Sequence, residues 1–176
     1  MKNILLILTT ILLLTSCKSN PTLEQYFIEN EDNDNISMAD IPVNFLKVKE
    51  GISPEAKKAI ESVKKINILY LKKDDKNQIA YKTEKDKLKL ILKDKKYQNI
   101  AKYKAKGATI SIQFVGNDEI VDEIILFATD KNRGLLLARL IGDKMKPESM
   151  QTILKNIQKI DIDKAKLSNL SSFLKG

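Results

Sequence analysis

Few side chains in this chain can do chemistry. Of its 176 residues one is Cys, and none is His or Trp. Without an imidazole, Ser-His-Asp and Cys-His catalysis lack their general base. A lone thiol cannot close a disulfide within the chain or build a Cys/His zinc site. A Ser-Lys dyad is the main nucleophile option left, and S-x-x-K occurs at Ser62–Lys65 and Ser172–Lys175. Neither match has the S-D-N or K-T-G partners that accompany the catalytic pattern. In a chain so rich in Lys this spacing arises by chance, and both matches read as accidental.

The carboxylates form two clusters. Glu31-Asp32-Asn33-Asp34 invites a calcium reading, but an EF-hand loop needs Gly at its sixth position and Glu at its twelfth. Counted from Asp32, the fifth, sixth and twelfth positions are Ile36, Ser37 and Val43. A solvated loop is the expectation. Asp118, Glu119, Asp122 and Glu123 form the second cluster. On a strand Asp122 and Glu123 point to opposite faces, so they are no natural acid–base pair; an exposed edge or turn that resists aggregation is expected. The six glycines form neither G-x-G-x-x-G nor a P-loop. The expectation is a non-enzyme that holds no cofactor and no metal.

The thiol has another use open to it. The chain begins MKNILLILTTILLLTSC, with Lys2 ahead of eleven largely apolar residues, Ile4 to Leu14. A spanning helix needs about 20 such residues, so the layout is that of an export signal. Leu14-Thr15-Ser16-Cys17 resembles a bacterial lipobox, in which a diacylglycerol is joined to the Cys thiol before cleavage on its N-terminal side. Cys17 is therefore the expected lipid attachment residue, with ordinary secretion or a retained signal as the alternatives. Two or more acyl chains hold a protein firmly, at about 0.8 kcal/mol per buried CH₂. Lys18 follows, where known sorting patterns would place an acidic residue for inner-membrane retention. Residues 1–16 then form the signal, 17–21 the lipidated Cys and a short tether, and 22–176 one domain. The expected location is the outer membrane, facing the periplasm.

Charge is unevenly placed. The net charge is +8, yet residues 57–106 hold 17 Lys against 6 acids, and residues 18–56 are acidic. The tract containing Lys89, Lys93, Lys95, Lys96, Lys102 and Lys104 is a candidate basic contact surface. A solvated face is the plain reading; anionic lipid headgroups or acidic glycan are the functional ones. Nucleic acid is not an expected partner. Export removes the protein from it, and Arg, the better phosphate fork, occurs only twice.

These residues need elements to position them. Thr22-Leu23-Glu24-Gln25 fits a capping box and opens a short helix. Ile36 to Ile41 reads as a strand ended by Pro42. Ser53-Pro54 starts a helix with Ala56, Ala59, Ile60 and Val63 on one stripe. Ile66 to Leu71 reads as a central strand. Tyr81 to Lys93 reads as a helix whose face Tyr97, Ile100 and Ala101 resume. Thr109–Val115, Ile120–Ala128 and Leu135–Ile141 form a three-stranded antiparallel meander. Pro147 opens a helix, and Leu167, Leu170, Phe173 and Leu174 mark a last short one. The expected class is α+β, a mostly antiparallel sheet with helices packed mainly on one face.

The segments LEQYFIE, MADIPVNFL, SPEAKKAIESVKKINILYLKKDD, LILKDKKYQNI and DEIVDEIILFATDKNRGLLLARLIGDKM lie in order over residues 23–145. This order resembles the domain-of-unknown-function 4252 family of small bacterial envelope lipoproteins. The resemblance implies a membrane-anchored α+β domain with no assigned activity, and no functional residue beyond Cys17. The expected role is a non-enzymatic interaction or envelope-maintenance module with an envelope protein as partner. The alternative is a periplasmic binder of a small ligand, lipid or glycan, using a groove beside the sheet.

Overall fold

The computed structural model describes residues 21–105, 107–156 and 159–162. Helix α1 (Leu23–Glu29) starts at a reciprocal capping box. Thr22 Oγ1 accepts from Gln25 N–H at 3.2 Å, and Gln25 Oε1 accepts from Thr22 N–H at 2.9 Å. Helix α2 (Pro54–Glu61) has Ser53 as its N-cap and Pro54 in its first turn. Helix α3 spans Gln78–Ile91 and α4 spans Pro147–Asn156.

The main sheet is antiparallel throughout and has the order β1-β3-β7-β6-β5-β4. Its strands are β1 (Ser37–Pro42), β3 (Val63–Lys72), β4 (Gln98–Ala105), β5 (Ala108–Gly116), β6 (Val121–Asp130) and β7 (Gly134–Met145). The small strands β2 (Leu46–Val48) and β8 (Ile160–Ile162) pair with each other. The class is α+β, and the meander contains four consecutive strands rather than three. The tight start of β7 needs Gly134: its φ is 123°, and a Cβ there would lie 2.0 Å from the Leu71 carbonyl oxygen.

Two expectations are corrected. The helical face does not resume after Lys93. Leu92 caps α3, a turn follows, and residues 98–105 pair with the free edge of β5 as strand β4. The physical reason is period: Lys102 and Lys104 alternate with Ala101 and Tyr103, which suits a pleated edge and not a helix. The helices also divide between both sheet faces instead of favouring one. On β6 the neighbours Ile124 and Ile125 are 1% and 0% exposed. Ile125 joins a core closed by Leu23 and Tyr26 of α1 and Tyr81, Leu88 and Ile91 of α3. Ile124 joins a second core closed by Ala59 and Ile60 of α2 and Met150 and Ile153 of α4. A meander with apolar residues at both parities demands cover on both sides. The expected helix over 167–174 lies outside the described residues.

Candidate functional site

The six candidate lysines converge on one side of the sheet. Lys89 lies in the last turn of α3, and Lys93 and Lys95 in the turn after it. These three line an open groove of about 870 Å³ with Gln98 and Ser111 of the sheet edge. Lys102 is paired with Ser111 and Lys104 with Thr109, so both project from the face that carries Ser111. Lys96 lies over the Tyr97 ring, 5.0 Å from its centroid. All six are exposed.

Tyr97 fixes this region to the start of the domain. It is buried, and its hydroxyl accepts from Leu23 N–H at 3.1 Å. The groove floor is polar where β5 contributes Ser111 and Gln113. Gln113, between Ile112 and Phe114 on β5, is buried, and its amide donates to the carbonyls of Leu92 at 3.0 Å and Tyr97 at 3.2 Å. It ties the end of α3 and the turn before β4 to the sheet.

Two polar networks on the same face escaped the sequence reading. Tyr26 Oη donates to Glu84 Oε2 at 2.7 Å, and Lys87 Nζ donates to Glu84 Oε1 at 2.8 Å. Glu84 and Tyr26 are both buried. Burial, reinforced by the Glu84 hydrogen bond and charge, holds the Tyr26 hydroxyl far above the ordinary tyrosine range. This arrangement pins α1 to α3 and keeps a neutral tyrosine on a carboxylate. The signal was present: Glu84 lies three residues after Tyr81 and four before Leu88, on the apolar stripe of α3.

Arg139 of β7 grips Glu123 of β6 with two donors, Nε to Oε2 at 2.7 Å and Nη2 to Oε1. Burial alone would lower the guanidinium pKa, but the hydrogen bonds and charge of Glu123 raise it. Glu123 thus leaves the exposed acidic cluster expected for it and becomes half of an interior pair. Arg139 also lines a second groove of about 830 Å³ beside α1, with Lys65, Asn67 and Asp40. Lys65 and Asn67 both donate to the Asp40 carboxylate, and Glu24 and Glu31 add two further carboxylates to the lining.

The opposite sheet face is different. Cross-strand pairing aligns Tyr70, Leu136, Ala128, Ile110 and Tyr103 in one row. Ile68, Ala138, Leu126, Ile112 and Ala101 form the next. None of these ten residues is fully buried, and the end residues Tyr70 and Tyr103 are 39% and 59% exposed. The core under helices α2 and α4 takes in Ile66, Leu140, Ile124 and Phe114 of the adjoining row and reaches the second open row at Ile112. Five strands at about 4.8 Å spacing make each open row about 19 Å wide.

Cys17 lies outside the described residues. Among the described residues, no three carboxylates or thiols gather to hold a metal ion, and no helix is long and apolar enough to cross a membrane. The family model for the domain of unknown function DUF4252 matches residues 26–153. The chain belongs to that family. The match runs from Tyr26 to Ile153, so it takes in the whole main sheet, helices α2 and α3, and most of α1 and α4 of this DUF4252 domain. No curated protein and no solved structure gives a match.

Proposed function

We propose that this DUF4252 protein is a lipid-anchored component of the bacterial envelope that works by holding a protein partner. The observation that carries this reading is the open face of two apolar rows between Tyr70 and Tyr103. An uncharged, half-exposed surface with aromatic residues at its margins has the composition of an interface centre. The occupant is an envelope protein presenting an apolar helix or sheet face. Localisation rests on the Leu14–Cys17 segment, which supplies the thiol for the anchor. The outer membrane, on its periplasmic side, is the location that Lys18 favours.

A photo-crosslinking residue placed at Ile110 in the full chain tests the partner. One reproducible envelope protein should be captured from Ile110 and not from Lys57 on α2. Equal or absent capture at the two positions would overturn the reading. The anchor has its own test: Cys17→Ala should abolish acylated peptide mass and release the protein from membranes. Unchanged membrane retention would falsify the anchor.

A further inference from the structure

The lysine groove and the start of the domain are one place in the fold. Leu23 N–H is bonded to Tyr97 Oη at 3.1 Å, and Lys96 lies over the same ring. Pro21 is the first described residue and stands four residues after Cys17. At no more than about 3.6 Å per residue, that stretch reaches about 14 Å. An acylated Cys17 would therefore keep Leu23, and with it the Tyr97 hydroxyl, within about 22 Å of the lipid surface, and Lys96 lies over that same ring. From this we infer that the lysine cluster seats on anionic phospholipid headgroups of the membrane that anchors the chain. The inference rests on the lipid anchor proposed above.

Two further observations favour headgroups as the ligand. Among the described residues, Lys64, Lys65, Lys82 and Lys87 are engaged in ion pairs, while the six candidate lysines join none. Of the two carboxylates on the groove, Asp86 is paired with Lys82 at 3.3 Å and Asp94 accepts from the Lys96 backbone N–H at 3.1 Å, against Lys89, Lys93 and Lys95. The cluster thus presents cations in excess. Leu90 also lies on the groove between Lys89 and Lys93 and is 65% exposed. An exposed apolar side chain flanked by lysines suits the boundary between headgroups and acyl chains, where both parts are satisfied. Lysine is adequate here, because headgroup attraction needs point charge and not the bidentate fork of Arg. The distance to the tether sets an order: Lys93, Lys95 and Lys96 engage first, and Lys102 and Lys104 lie farther along β4.

The test uses the purified full-length acylated product. It is reconstituted into phosphatidylcholine vesicles, and separately into vesicles of equal parts phosphatidylcholine and phosphatidylglycerol. A water-soluble amine-acylating reagent then reports each lysine by peptide mass. In the anionic vesicles Lys89, Lys93, Lys95 and Lys96 should lose about fivefold in reactivity, the equivalent of one headgroup contact each. Lys102 and Lys104 should lose less, and Lys57, Lys58 and Lys155 on the other helices should not change. High salt should restore the reactivity. An acylated Cys17 peptide with uniform lysine reactivity overturns this inference and leaves the anchor standing. A Cys17 peptide without acyl mass overturns both.

Discussion

Leu136 and Leu137 are neighbours on β7 with opposite fates. Leu137 is 0% exposed in the core closed by α1 and α3, whereas Leu136 stands half-buried in an open row on the other face. The two faces have similar apolar content in these strands and differ in cover. One face is roofed by α1 and α3, which carry the polar pins Glu84 and Tyr26 and the lysine groove. The other is roofed at one end by α2 and α4, and its far end is left to solvent. Hydrophobic patterning thus specifies that both faces want burial; the placement of four helices decides where burial is completed.

The sharpest way to break this comparison is truncation at those neighbours. Leu137→Ala should cost about 2–5 kcal/mol, as for a fully enclosed leucine. Leu136→Ala should cost about 1 kcal/mol or less. Chemical denaturation of both variants measures the contrast, and equal losses would mean the open face is covered in solution. Next in size is Tyr26→Phe, which leaves the buried Glu84 carboxylate short of a donor and should cost about 1–3 kcal/mol. Tyr103→Phe on the open face should leave the midpoint within about 0.5 kcal/mol of wild type.

A small, pH-dependent effect belongs to the turn between β6 and β7. The Asp130 carboxylate accepts from the backbone N–H groups of Asn132 at 2.8 Å and Arg133 at 2.9 Å. These bonds hold its pKa below the ordinary carboxylate range. Folding therefore gains from the ionised form at neutral pH, and the gain disappears as pH falls through the folded value. Thermal melts of wild type and Asp130→Ala should differ slightly at neutral pH and converge in acid. A difference that persists in acid would remove the charge from the explanation.

Local signals were readable without the structure, and non-local ones were not. The capping box at Thr22 and the Ser53-Pro54 start each lie within a few residues, and both helices begin where those residues place them. Strand β4 carries a local alternation over only Ala101–Lys104, too short to outweigh the helical spacing of Tyr97, Ile100 and Ala101, and its pairing with the edge of β5 decides the matter. Gln113 shows the same limit in reverse. Alternation in β5 was plain, but the buried parity at that position carries the glutamine, since two carbonyls left over from α3 and its turn need a donor there. Of the candidate site, the six lysines were found as composition. Their meeting with the root of the tether depends on Tyr97, which the helical reading had placed on a different element.

The correction at β4 has one more consequence. As the last strand of the sheet it offers unpaired backbone groups along its outer side, and an edge of that kind invites another chain to join by strand addition. Lys102 and Lys104 place two like charges there, which a second copy would have to bring beside its own. At the opposite edge β1 ends in Pro42, which has no N–H to give. Growth of the sheet sideways is thus discouraged at both margins. Visitors must come to the flat of the sheet and be judged by shape, with the backbone ladder closed to them.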